Sequence, residues 1–422
     1  MGYWFEDPGI KGLLPLATAA GIRGLSSVFN TPMMIMGANV FSEAPGLGPG
    51  TIDHLNNKCP KKRAFVVSDE FGKRYADKVE KFLLAWGYTT ESWCKVEPEA
   101  PIENVQACAV AMTAFEPDLI MAVGGGSVMD AAKGAWVIYE RPDLQNLMAF
   151  SPLSPLGLRK KAVMAAVPTT AGTGSECTGA AVLHDHANDR KIPIASAELV
   201  PDFAILSPEF TMTMPEKLTL GTGLDVLAHA MDAVTCIAAT EMTDAMGLAA
   251  IEMVHKYLPR AVANGRDREA RLRMLLAASI AGISFGNSGA SLTHSFGHSL
   301  GSLFHVHHGL AVGFFIPFCL QYYAKTSEKH VRIARTLGIQ GKDRKESLDN
   351  LVAHTRAFFK SLNVPLSLKE LGVSEEKMKA EMPRLIPYTR EDIDSIFSPR
   401  PMTETQCEKF WHYAYHGKDI DF

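Results

Sequence analysis

The feature that most restricts how this chain can fold is a continuous apolar run, LIMAV (119–123), that leads into three glycines and a helical pattern, GGGSVMDAAKG (124–134). Five apolar residues without alternation suit a strand buried on both faces, which is the condition of a strand inside a helix-covered parallel sheet. Glycines let the backbone turn tightly and approach a ligand closely. Ser127 is placed to cap the helix, with Asp130 three residues on completing a capping-box-like pair. The exposed N–H groups and the positive end of the helix dipole make an anion site. Glycines alone fit a plain tight turn equally well; the strand before and the helix after favour phosphate. There is no GK[ST] of a Walker loop, which argues against γ-phosphate chemistry.

The neighbouring segments repeat the alternation. RAFVVSD (63–69), YTTESWCKV (88–96) and AVMAAVP (162–168) read as strands, and 71–87, 102–115 and 128–139 as helices, the first ending at Gly87. The order β-α-β-α-β-α-β predicts a parallel sheet covered by helices. AVLHD (181–185) and RKIPIAS (190–196), joined by the turn HAND, read as a hairpin at the edge of that sheet. From about residue 209 strand signals nearly vanish and helical stretches run to the C-terminus, at 217–235, 244–264, 267–285, the histidine-rich segment and 347–362. LAVGFFIPFCL (310–320) is too short to span a bilayer and reads as a buried helix. The expectation is an α/β domain over 1–208 and an all-helical domain over 209–422, with the cleft between them as the default site.

A chain of 422 residues exceeds one average core, and 47 % hydrophobic residues supply ample material for two. The formal charge of −4 gives no basic footprint for nucleic acid. Seven scattered cysteines without a CxxC motif point to reduced thiols. The acidic start, MGYWFEDPGIKG, has no basic n-region of a secretory signal, and Glu6 stands where a myristoylation motif wants Ser or Thr. These features predict a cytoplasmic protein with no membrane span.

A polar loop, PTTAGTGSE (168–176), follows the last strand, with hydroxyls suited to ribose and phosphate oxygens. Asp69 ends the first strong strand, where a carboxylate either accepts from an adenosine ribose or caps the following helix. In TGLDVLAHAMDA (222–233), Asp225 and His229 stand four apart, on one helical face. Five of the fourteen histidines fall within 292–309, and His294 and His298 repeat the four-residue spacing. A tract like that can be a solvated surface. Aspartate with several histidines, in a chain carrying a phosphate loop, instead suits Fe²⁺, Zn²⁺ or Mn²⁺.

With these motifs the chain resembles the iron-containing (group III) alcohol dehydrogenase family over nearly its whole length. The resemblance rests on SDEFG, VGGGSVMDAAK, PTTAGTGSE, the lysine of DRKIP, TGLDVLAHAMDA, HSFGHSLGSLFHVHHG and SPRPMTETQ, in the family's order. It implies an N-terminal dinucleotide-binding α/β domain and a C-terminal helical metal-binding domain. It implies metal ligands Asp225, His229, His294 and His308. Gly124, Gly125, Gly126 and Ser127, with Asp130 in the same helix, would hold the pyrophosphate. Asp69 would take the ribose, favouring NAD(H), and Thr169, Thr170, Thr173 and Lys191 would line the nicotinamide half. His298 matches a histidine near the nicotinamide and is a candidate proton relay. His305 would line the cleft or orient a ligand, and His307 departs from the family's usual proline. The implied activity is metal-dependent, NAD(H)-linked interconversion of a small primary alcohol and its aldehyde in a homodimer or higher homo-oligomer. The alternatives are a metal- and NAD-dependent cyclase of the dehydroquinate synthase type and a polyol dehydrogenase.

Overall fold

The computed structural model describes residues 29–42, 50–144, 146–147, 155–188 and 190–422. The readings of the N-terminal segment MGYWFEDPGIKG lie outside them. The chain divides into two compact units, the first ending at Met214 and the second spanning Pro215–Phe422.

The first unit contains β1 (Met33–Met36), α1 (Thr51–Lys58), β2 (Arg63–Val67), α2 (Lys73–Ala85), β3 (Thr89–Trp93), α3 (Ile102–Phe115), β4 (Leu119–Gly124), α4 (Gly126–Glu140), β5 (Val163–Pro168), β6 (Ala180–Asp185), β7 (Arg190–Ala195) and β8 (Phe203–Leu206). Six strands form one sheet in the order β1-β8-β5-β4-β2-β3, and every pairing is parallel. Alternate residues explain why the inner strands are apolar beyond the Arg63 that opens β2, whereas the edge strand β3 (TTESW) keeps polar, largely exposed positions. Phe65, Val67, Ile120 and Ala122 face the helices α3 and α4, while Ala64, Val66, Met121 and Val123 face α1 and α2. Both sheet faces are therefore dry, which selects continuous apolar runs.

Two short strands, β1 and β8, were not read from the sequence; four residues are too few for periodicity to register. The hairpin β6–β7 exists, but it corrects the expectation that it borders the main sheet. It is a separate antiparallel pair, and Leu183 and Ile194 tuck it into the core beside α4. The sheet's edges are instead β1 and β3.

The second unit is helical among the described residues: α5 (Glu216–Thr235), α6 (Glu241–Ala263), α7 (Arg268–Gly286), α8 (Leu292–Phe304), α9 (His308–Phe314), α10 (Ile316–Tyr323), α11 (Lys329–Thr336), α12 (Arg344–Ser361), α13 (Glu375–Arg390) and α14 (Glu404–His416). The apolar stretch 310–320 is buried as expected but breaks into α9 and α10 at Phe315, with Pro317 in the first turn of the second helix. Pro has no N–H to continue a helix but is tolerated in a first turn. An aromatic cluster of Phe296, Phe315, Phe410 and Trp411 ties α8 and the junction between α9 and α10 to α14. No described helix is long and apolar enough to cross a membrane, and all seven cysteines are free.

Candidate active site

In the first unit the chain leaves β2 towards β3 on one side and returns to β4 on the other, so a topological switch point lies between β2 and β4. Ligands of open α/β sheets bind beyond the strand C-termini at such a point. Asp69 and the glycine loop end β2 and β4 there. Ser68 Oγ donates to the Val123 carbonyl at 2.7 Å and Thr169 N to the Gly124 carbonyl at 2.9 Å, holding the three strand ends together. Asp69 Oδ1 accepts from Gly72 N in the turn before α2, whose N-cap is Gly72 itself, so the expected cap role is not the one it takes.

The glycines are sterically required where the loop packs. A Cβ on Gly124 would lie 2.4 Å from Val128 Cγ2, and one on Gly126 would lie 2.9 Å from Thr173 Cγ2. Thr170 lies beside Gly125. The expected capping box is corrected here: α4 begins at Gly126, its N-cap is Gly125, and no side chain caps it. Ser127 Oγ instead accepts from Glu99 N at 3.2 Å. Asp130 Oδ1 accepts from Ser175 Oγ at 2.9 Å and Oδ2 from Val182 N at 3.0 Å. The reason is that Asp130 finds donors in the loop after β5 and in the hairpin, so it ties those segments to α4 and leaves the helix's first N–H groups open to an anion.

Lys133 was not singled out from the sequence. It is fully buried, and its Nζ donates to the carbonyls of Ser175 (2.8 Å), Thr178 (2.8 Å) and Ala180 (2.7 Å). Burial brings its ammonium down to about 8, against the pull of Asp130 and Glu176. Lys191 lies on β7, its side chain about half exposed, with Nζ 2.8 Å from Glu99 Oε1.

In the second unit α5 supplies Asp225 and His229, α8 supplies His294 and His298, and α9 opens with His308. Asp225 Oδ1 is the common neighbour: His308 Nε2 lies 3.3 Å away, His229 Nδ1 3.7 Å and His294 Nε2 3.9 Å. Asp225, His294 and His308 bring one donor atom each within 4.8 Å of one another. His229 stands beside that set, its ring stacked between Phe285 and His294. Asp225 Oδ1, His229 Nδ1 and His294 Nε2 are buried and make no hydrogen bond. Orphaned buried lone pairs are costly, and a divalent cation satisfies them; the donor set fits such an ion.

The close approach depends on glycine. A Cβ on Gly309 would lie 2.0 Å from the Gly221 carbonyl oxygen, so only glycine lets α9 meet α5 there and bring His308 to Asp225. His307 turns away: its Nδ1 would lie 2.6 Å from a Cβ on Gly221, so its ring rests over that glycine. His305 is exposed and adopts the left-handed conformation that ends α8.

Charges follow the geometry. Burial raises the Asp225 carboxyl, but His229, His308 and His294 more than reverse this and hold it below its ordinary range. Desolvation lowers His229 to about 3, keeping it neutral. Burial also disfavours charge on His294, yet its hydrogen bond to Asp232 and the charges of Asp232, Asp394 and Asp225 together outweigh this and raise it. Asp232 Oδ2 accepts from His294 Nδ1 at 2.9 Å, from Ser291 N at 2.8 Å and from Thr293 Oγ1. A carboxylate on Nδ1–H leaves the Nε2 lone pair for a metal. The sequence signal for Asp232 was present, because it lies seven residues after Asp225 and shares the face of Asp225 and His229. His298 Nδ1 meets Asp392 Oδ2 at 2.9 Å, a partner 94 positions away with no local signal.

A parallel sheet with an uncapped glycine-led helix at its switch point, joined to a helical unit holding one carboxylate among imidazoles, defines a class of two-domain, nucleotide-type metalloenzymes. Residues 46–208 match the family described as iron-containing alcohol dehydrogenase, and residues 219–415 match the Fe-containing alcohol dehydrogenase family, C-terminal. The chain belongs to the iron-containing alcohol dehydrogenase family, and its class is that of oxidoreductases acting between alcohols and aldehydes. It is 33 % identical over 378 residues to an NADPH-dependent butanol dehydrogenase of Clostridium saccharobutylicum, covering 89 % of this chain and 97 % of the relative. It is 34 % identical over 391 residues to the bifunctional aldehyde-alcohol dehydrogenase AdhE of Escherichia coli (strain K12), covering 85 % of this chain but 43 % of that relative; the chain thus spans less than half of the bifunctional enzyme. The solved iron-containing alcohol dehydrogenase of Thermococcus thioreducens superposes with a TM-score of 0.81 at 29 % identity, covering 93 % of this chain and 100 % of that one. The family matches do not favour the cyclase alternative, and a solved 1,3-propanediol oxidoreductase superposes with a TM-score of 0.82 at 26 % identity, covering 92 % of this chain and 100 % of that one.

Proposed function

We propose that this chain transfers hydride reversibly between a small primary alcohol or aldehyde and NAD(H), with a divalent ion, Fe²⁺ in preference to Zn²⁺ or Mn²⁺, held by Asp225, His229, His294 and His308. The observation that carries the reading is the convergence of three buried, hydrogen-bond-orphaned donor atoms, Asp225 Oδ1, His229 Nδ1 and His294 Nε2, with His308 Nε2 at 3.3 Å from the same carboxylate. When bound, the ion supplies Lewis-acid polarisation of the substrate oxygen and the nicotinamide supplies the hydride carrier.

The chain's own residues do the rest. The first N–H groups of α4, with Gly124, Gly125, Gly126 and Ser127, receive the pyrophosphate, and Asp130 and Lys133 hold the adjoining loop in register. Thr169, Thr170 and Thr173 offer hydroxyls towards the nicotinamide half, with Lys191 and Glu99 at the rim. His298 exchanges the alcohol proton with solvent as general base or acid.

One relative is NADPH-dependent by name, so the choice of NAD(H) here rests on Asp69. Its carboxylate at the end of β2 accepts from a ribose diol and repels a 2′-phosphate. The enzyme is proposed to be cytoplasmic and a homodimer or higher homo-oligomer. The test is anaerobic purification with metal analysis, followed by NADH oxidation across a panel of small aldehydes after Fe²⁺ or Zn²⁺ reconstitution. Turnover that requires the metal supports the reading, and metal-independent turnover or none with any aldehyde overturns it.

A further inference from the structure

We propose that Asp392 is the positioning residue for His298, fixing the imidazole in the tautomer that keeps its proton on Nδ1 and makes Nε2 the proton-exchanging atom. The inference rests on the relay role of His298 proposed above.

The two oxygens of Asp392 do separate work. Oδ1 accepts from Asp394 N at 3.0 Å and from Ser295 Oγ at 3.3 Å, which caps the short 3₁₀ turn Ile393–Phe397 and anchors the carboxylate to α8. Oδ2 meets His298 Nδ1 at 2.9 Å. A second carboxylate, Asp394, comes no closer to the same nitrogen than 3.9 Å, beyond hydrogen-bond reach, so of these two carboxylates it is Asp392 that hydrogen-bonds the ring. The His298 ring stacks against His308, with centroids 5.3 Å apart and planes at 22°. Its plane is thus set by His308 and its rotation within that plane by Asp392. A carboxylate is an acceptor only, so the proton of a neutral imidazole facing it stays on the facing nitrogen. That leaves an Nε2 lone pair for general-base work, as in other carboxylate-oriented histidines.

Asn separates the two jobs. In Asp392→Asn the amide oxygen keeps the cap and the Ser295 bond, because Asn caps as well as Asp. The amide nitrogen takes the place of Oδ2 and cannot accept from Nδ1–H, so the opposite tautomer is favoured.

In zinc-loaded protein labelled with ¹⁵N-histidine, the resonances lost in His298→Ala identify His298. They should report Nδ1–H in the parent and Nε2–H in Asp392→Asn. Turnover of Asp392→Asn should fall about 100-fold, at the lower end of general acid–base contributions. KM, metal content and thermal unfolding should stay near the parent's. Asp392→Asn combined with His298→Ala should be no slower than His298→Ala alone. Parental turnover of Asp392→Asn beside a slow His298→Ala would reduce Asp392 to a cap and overturn this inference while sparing the relay. Parental turnover of His298→Ala would remove the relay itself and this inference with it. Loss of metal from Asp392→Asn, an unchanged tautomer or a multiplicative double variant would also overturn it.

Discussion

Replacing Asp232 with asparagine probes the donor cluster from behind. In the native chain Oδ2 accepts three hydrogen bonds, from Ser291 N, Thr293 Oγ1 and His294 Nδ1, while Oδ1 is buried and accepts none. The amide has a single acceptor oxygen, which must take the Oδ2 position or all three donors are lost. Its NH₂ group then falls where Oδ1 stood, with nothing to receive it. An unsatisfied buried donor costs about 1–3 kcal/mol, and each of the three bonds weakens from the charge-assisted range of about 1.5–3 kcal/mol towards a neutral bond of about 1 kcal/mol. Relief from burying the charge offsets part of this, so a net loss of roughly 2–4 kcal/mol in the unfolding free energy of the metal-free protein is expected. With the ligand set proposed above, the His294 share also reaches the metal. Loss of a carboxylate behind a ligating histidine weakens binding about 10–100-fold, equivalent to about 1.4–2.8 kcal/mol. Urea unfolding of metal-free protein measures the first quantity, and competition of zinc-loaded protein against a chromogenic chelator measures the second. Zinc affinity within twofold of the parent, beside the expected loss of stability, would show that Asp232 serves only the start of α8 and would refute its role behind His294.

His308→Ala should purify nearly metal-free and inactive, while His307→Ala keeps its metal and most activity; metal content of the two decides it, and a loaded His308→Ala beside an empty His307→Ala reverses the assignment. Asp69→Gly should raise kcat/KM for NADPH relative to NADH by about tenfold or more through loss of the repelling carboxylate, and an unchanged ratio removes that role. Gly309→Ala should cost metal binding and several kcal/mol of stability, because its Cβ would overlap the Gly221 carbonyl; chelator competition and urea unfolding read both. Lys133 is lowered in the folded state from 10.5 to about 8, so between those pH values the unfolded chain binds more protons and this lysine's contribution to stability rises with pH. Unfolding free energies of parent and Lys133→Met, measured from pH 8 to 10, should therefore show a difference that shifts in the parent's favour as pH rises; a flat or opposite trend refutes it.

Much of this was legible in the linear order of residues, and the reason is that local patterns carry local physics. LIMAV reads as a two-face-buried strand because both sheet faces are covered, and 102–115 reads as a helix with the bounds it has, Ile102–Phe115. Asp225 and His229 announce a shared face because one helical turn separates them, and Asp232 belonged to the same pattern. Chain order alone also set the parallel sheet and the change to helices near residue 209.

Tertiary structure decided what no window of sequence contains. Asp130 and Ser127 had the spacing of a capping box, but donors from the loop at 175 and the hairpin at 182 claimed Asp130, and Gly125 became the cap. His307 and His308 are adjacent and chemically identical. Only the crossing of α9 over Gly221 turns one onto Asp225 and the other onto the glycine. His298 gains its carboxylate from a turn 94 residues away. Hydrogen-bond partners of buried polar groups are chosen by which surfaces the packed core brings together, and that choice is made by the whole chain rather than by any segment.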